Sequence, residues 1–337
     1  MSELTGAITR LEASLSTPIG SSFKIDDEPD VVAELLASLR SPNTIRAYKK
    51  DLHDFFQVVA EQEPSRDLVL EFLHLEQQFA VRLVLGYKAK LIEKKLKAAT
   101  INRRLSALKS LTAIARQIGF CSFTLEDIKP LKVRPYRDTS GIDKEAFAKV
   151  LEIAESAKNA KTKRKRLKGI RDYALLRLLW SNALRRGELY LANINDFNFD
   201  ARTLLIIGKG EAGEKKSVSL PKQDAIAIDQ WLSARGDCDA DAPLFMAVDN
   251  ANYGNRLTGN GIYTIVDRLC VKAGIPKKMS PHRIRHSAIT AALDATDGNI
   301  RKVQKLSRHK DINTVMTYDD NRHNHQSEVS QILGDLV

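Results

Sequence analysis

A mainly α-helical chain of two domains, with a small antiparallel β-sheet in the C-terminal one, is what this sequence predicts. Three observations carry the prediction. Aliphatic residues recur at helical spacing through most of the 337 residues, and β-rich runs are few. The stretch TLLIIGKGEAGEKKSVSLP (203–221) sets two β-type runs around a Gly- and Lys-rich turn, the pattern of a hairpin. Upstream, DIKPLKVRPYRDTSG (127–141) has prolines and basic residues but no clean period, as an extended interdomain linker would.

The elements follow in order. Residues 1–28 read as an arm or short partner-binding helix, and 29–128 as a helical domain with helices near 30–39, 43–59, 66–77, 79–97 and 100–118. In SPNTIRAYKKDLHDFFQVV the apolar stripe runs through Ile45, Tyr48, Leu52 and Phe55. In ATINRRLSALKSLTAIARQIG, Thr100 is the expected cap, Ile101, Leu105, Leu108 and Leu111 the buried face, and Arg103, Arg104 and Lys109 the opposite face. The linker spans 129–140 and the second domain 141–337, opening where Asp143 and Glu145 complement a helix N-terminus. KTKRKRLKG (161–169) reads as a basic loop or a DNA-facing surface. After the hairpin, helices resume at 222–235, 258–273, 282–294, 298–306 and 311–318. A tail, 325–337, carries Val329, Ile332, Leu333 and Leu336 at helical spacing, suited to packing on its own domain or on a neighbouring protomer.

A net charge of +11 favours a polyanionic partner. No apolar run reaches membrane-spanning length and no signal-peptide pattern opens the chain. Cys121, Cys238 and Cys270 lie far apart without metal-ligand spacing, which points to a reducing cytoplasm and no structural zinc. Nucleic acid is the favoured partner, and no membrane is expected. Thr44, Arg46, Lys50, Arg103, Arg104, Lys109, Lys132, Arg134, Lys163 and Arg164 are the candidate DNA contacts.

The chemistry-bearing residues are scattered. NALRRGELYLANI places an arginine pair before Glu188, either of which a surface ion pair would explain. In PHRIRHSAITAAL, His282 and Arg285 fall one helical turn apart, suited to a phosphoryl group that a guanidinium binds while an imidazole moves a proton. Lys209 lies in the hairpin turn, where glycines permit close approach to a ligand. Tyr318, in LSRHKDINTVMTYDD, is either a docking aromatic or a nucleophile; its ordinary pKa near 10 makes it inert unless cations stabilise the phenolate. No acidic cluster, Walker-type loop or His/Cys ligand set is present, so phosphoryl transfer without metal fits the residues better.

ALRRGEL, GKG after a strand, HRIRH, His309 and then Tyr318, in that order, resemble the tyrosine recombinase (phage integrase) family. SPNTIRAY and TINRRLSALKS look like its helical core-binding domain. The resemblance implies a two-domain C-shaped clamp on double-stranded DNA that needs neither metal nor ATP. It implies Arg185, Lys209, His282, Arg285, His309 and Tyr318 as catalytic residues, with Glu188 and His286 supporting. It also implies a 3′-phosphotyrosyl intermediate and a homotetramer on two DNA sites, with the C-terminal tail either kept on its own domain or exchanged between protomers. Ala183 stands where the family usually has glycine, and Arg186 is a second candidate beside Arg185. The rivals are a type IB topoisomerase, a telomere resolvase, and a non-catalytic helix-turn-helix protein built on GNIRKVQKLSRHKDINTVMTY.

Overall fold

The computed structural model describes residues 29–133, 141–208, 213–236, 238–319 and 325–336, so the arm, Arg134 and Lys209 lie outside the described residues. Two compact units divide between residues 134 and 135. The described residues are mainly helical with one small antiparallel sheet, as the sequence predicts.

The first unit holds α1 (Val31–Ser38), α2 (Pro42–Val59), α3 (Arg66–Leu73), α4 (Gln77–Glu93) and α5 (Ala98–Gln117). Their apolar stripes converge on one core in which Phe55 meets Phe56, Phe72 and Tyr87 edge to face. Of the α2 stripe, Leu52 and Phe55 are buried and Ile45 and Tyr48 half-buried; all four residues expected on the buried face of α5 are there. Thr100 does not cap α5. Two alanines, the strongest helix formers, extend the helix back to Lys97, which makes no side-chain cap bond. The chain expected to be linker stays bound to this unit through residue 131: Leu131 N donates to Asn102 Oδ1 at 2.7 Å and Asn102 Nδ2 donates back to Leu131 O at 2.8 Å.

The second unit is built on α7 (Lys163–Ser181), whose Leu175, Leu176, Leu178 and Leu179 are fully buried. Around it pack α6 (Lys144–Ser156), α9 (Lys222–Arg235) and α11 (Pro281–Asp294). The basic block at 161–169 is therefore the first turns of the central helix and not a loop, with Thr162 Oγ1 capping Lys165 N. Asp143 caps α6 as expected, accepting from Ala146 N at 2.7 Å. Strands β1 (Phe197–Asn198), β2 (Thr203–Ile207) and β3 (Lys215–Ser219) form the sheet in that order, with Leu205 opposite Ser217. The remaining helices are α8 (Arg186–Leu191), α10 (Gly259–Lys272), α12 (Ile300–Ser307), α13 (Asn313–Asp319) and α14 (His325–Gly334).

Candidate active site

The short helix α8 begins at Arg185, where the Glu188 carboxylate turns back to accept from the Arg185 backbone N–H at 2.8 Å and from its Nη1 at 2.8 Å. Glu188 is 1 % exposed and its other ion pair is with Arg308, at 2.9 Å. Burial pushes this carboxyl up, but Arg308 and Arg185 outweigh it and hold it below the usual carboxylate range. Arg186, the alternative, is exposed and points to Gly259 O at 3.5 Å, which leaves Arg185 as the arginine of the cluster.

Helix α11 starts with Ser280 capping Arg283 N and Pro281 in the first turn. That start puts Arg285 on the inner face, 1 % exposed, donating to Ala183 O and Ser307 O, with Nη2 3.3 Å from His309 Nε2. Burial and the charges of Arg185 and Arg308 lower its guanidinium to about 9, still cationic at neutral pH. His309 is oriented by Ser307 Oγ, 3.0 Å from its Nδ1.

Tyr318 packs its ring as a docking aromatic would and keeps its hydroxyl within the polar cluster. Its ring joins a buried cluster with Ala183, Ile289, Leu293, Val303 and Val315. Its hydroxyl lies 3.3 Å from His286 Nε2, and that nitrogen lies 2.8 Å from His282 Nε2. His286 thus stands between Tyr318 and His282. One turn of helix separates the two histidines, so their rings meet edge to face at 4.3 Å. Burial raises the Tyr318 pKa, and Arg285 and Arg185 act against that rise.

The charge of the cluster is lopsided: Arg185, Arg285 and Arg308 all act on one carboxylate, Glu188. Burial above all drives His286 and His309 down to about 4 from an ordinary 6.5, helped by His282 and Arg285 at His286 and by Arg285, Arg185 and Arg308 at His309. Burial, Arg285 and Arg185 lower His282 as well. Such a cluster holds neutral imidazoles and surplus guanidinium, which suits an anion. Among the described residues no group of His, Cys, Asp and Glu is arranged to hold a metal ion.

Stability follows with a definite sign. Between about 6.5 and 4 the unfolded chain binds more protons than the folded one, so stability is full above that window and declines as pH falls through it. Glu188, depressed, adds a further loss below 4.5. Urea midpoints measured from neutral pH down to about 4 check this, and a flat profile would contradict the charge arrangement.

The DNA-contact candidates fare unevenly. Arg46, Lys50, Lys132, Lys163 and Arg164 are exposed, and Thr44 is half-buried. Arg103 pairs with Asp51 at 2.8 Å and Lys109 with Glu126 at 3.4 Å. Arg104 is not on an open face: its side chain is 12 % exposed and bonds Asp54 and Tyr87 Oη. Arg308 carried no expectation at all, yet it touches both Glu188 and Ala183 O.

Residues 147–325 match the Phage integrase family, and residues 34–119 match the Phage integrase, N-terminal SAM-like domain. The chain belongs to the phage integrase family. It is 49% identical over 308 residues to a tyrosine recombinase of Synechocystis sp., covering 91% of this chain and 96% of that one. A tyrosine recombinase of Synechococcus elongatus is 42% identical over 334 residues, 99% of this chain and 100% of that one. The fold is shared with the crystal structure of XerH site-specific recombinase bound to palindromic difH substrate, at TM-score 0.60 and 20% identity over 86% of this chain and 80% of that one. Ala183 has φ +45°, in the left-handed region that favours glycine, and nothing in the structure explains the alanine there.

Proposed function

We propose that this chain is a site-specific DNA recombinase that cuts and rejoins duplex DNA through a 3′-phosphotyrosyl bond to Tyr318. The observation that carries the reading is the Tyr318 hydroxyl, held against His286 beside a surplus of buried guanidinium. Arg185, Arg285 and His309 hold the scissile phosphate and stabilise the charge that builds on it in the transition state. Tyr318 attacks phosphorus as its phenolic proton passes to the His286 imidazole, with His282 assisting behind it; the P–O5′ bond breaks and the 5′-oxygen leaves with a proton, donated by Lys209 in the reading taken from the family. A 5′-hydroxyl of another strand then attacks the phosphotyrosine, restoring a phosphodiester and freeing the tyrosine. The bond energy is conserved throughout, so the reaction runs without ATP.

The test is a nicked suicide substrate bearing the DNA that flanks the gene. Wild type is expected to form a covalent adduct with chelator present, and peptide mapping to place the label on Tyr318. No adduct on any candidate site would move the reading toward a non-catalytic DNA-binding protein. Two sites in one reaction distinguish strand exchange from the simple religation of a topoisomerase.

Assembly on two DNA sites as a tetramer belongs to the same proposal. On α14 the apolar side chains Ile332 and Leu333, and Leu336 beyond it, are 60, 59 and 74 % exposed, an apolar face of the kind a second copy would cover. Deleting residues 327–337 is expected to weaken pairing of two DNA sites more than binding of one. Equal loss of both, or of neither, in gel-shift titrations would contradict docking between protomers.

A further inference from the structure

Arg308 ends α12 in the left-handed conformation, φ 56° and ψ 38°. For a non-glycine residue that backbone is strained, and it persists only where neighbours over-determine it. Here they do. Nη1 donates to Asn182 O at 3.1 Å and Leu306 O at 2.6 Å. Nη2 donates to Ala183 O at 3.2 Å and Glu188 Oε2 at 2.9 Å. Each terminal nitrogen is thus engaged twice, and only Nε–H is left without an acceptor among the described residues. The backbone takes part as well, since Arg308 O accepts from Arg185 Nη2 at 3.1 Å.

Arg185 differs. Its Nη1 and Nη2 give one bond each to protein, to Glu188 and to Arg308 O, and the guanidinium fork has further N–H groups. It keeps donors for a phosphate; at its terminal nitrogens Arg308 does not. Arg308 also sits where two left-handed residues meet, because the carbonyl it shares with Arg285 belongs to Ala183.

We propose that Arg308 is a positioning residue that locks the loop carrying Arg185 to the segment carrying His309, so that the phosphate-binding groups are in place before DNA arrives. Without it, Glu188 loses one of its two cations, and Asn182 O, Ala183 O and Leu306 O lose the side chain that ties them together. The inference rests on reading this site as one for strand transfer, and its test is built to fail separately from that reading.

The variants are Arg308→Gly, which fits the left-handed backbone without strain, and Arg308→Lys, which keeps the charge but not the fork. At saturating suicide substrate, both are expected to form adduct roughly 10- to 100-fold more slowly. Their DNA Kd should move less than about threefold, the measure of a residue that spends no terminal donor on phosphate. Guanidinium ion, below unfolding concentrations, should restore part of the Arg308→Gly rate and none to wild type. Amide exchange across residues 183–188 should quicken in Arg308→Gly. Wild-type cleavage by either variant, a loss confined to Kd, absence of rescue, or unchanged exchange would each overturn the proposal. The exchange measurement needs no cleavage, so a wild type that forms no adduct counts against strand transfer alone while Arg308 is still judged.

Discussion

Tyr318→Phe is expected to abolish the covalent protein–DNA adduct while leaving the fold intact to within about 1 kcal/mol. The two halves of that expectation come from different atoms. Burial of Tyr318 is the work of its ring, which packs against Ala183, Leu293 and Val315, and phenylalanine keeps every one of those contacts. The hydroxyl has a single hydrogen-bonding contact among the described residues, His286 Nε2 at 3.3 Å, and its loss removes one long hydrogen bond. Chemistry is the opposite case, since no oxygen means no phosphotyrosyl bond. The measurements are a denaturant melt and an SDS gel of the suicide-substrate reaction. Adduct formed by Tyr318→Phe would mean that another residue is the nucleophile, whereas a melt lowered by several kcal/mol would mean that the hydroxyl has a structural partner.

The helices were legible because period is a local property. Leu105, Leu108 and Leu111 announce the buried face of α5 without reference to the rest of the chain. Where a local rule and a stronger local rule compete, the weaker loses, and Thr100 is inside α5 because the alanines before it propagate the helix. The block at 163–166 misled for an electrostatic reason. Four cations at a helix N-terminus oppose the macrodipole, so the run resembles a loop, and only the deep burial of the leucines downstream keeps it helical.

At the site, which residues gather was legible and their wiring was not. Arg185, Glu188, His282, Arg285, His309 and Tyr318 come together from the order of their motifs. That His286, not His282, touches the tyrosine depends on where α13 lays Tyr318 across α11, which no spacing within PHRIRH encodes. Arg308 was invisible for the same reason: its partner Glu188 is 120 residues away, and in sequence it is one more basic residue in a basic chain. Arg104 shows the converse, a cation that seemed free for DNA but is claimed by Asp54, 50 residues upstream.

Arg285→Ala is expected to slow adduct formation by roughly 10²- to 10³-fold, the scale for removing one donor that stabilises transition-state charge. It should also cost about 2–5 kcal/mol of stability, because the guanidinium is buried and serves two carbonyls that lose their donor. That double role makes the alanine result ambiguous by itself, and Arg285→Lys resolves it. Lysine keeps a charge and can bond one of Ala183 O and Ser307 O, but it cannot fork to both while facing His309. Part of the stability should therefore return and little of the rate. Lowering the cation count has a second consequence, since Arg285 is among the charges that depress His309. In Arg285→Ala the His309 imidazole should titrate closer to its ordinary 6.5, readable by NMR of the ring protons. An unmoved His309, with a rate lost in step with stability, would assign Arg285 to the fold and not to the phosphate.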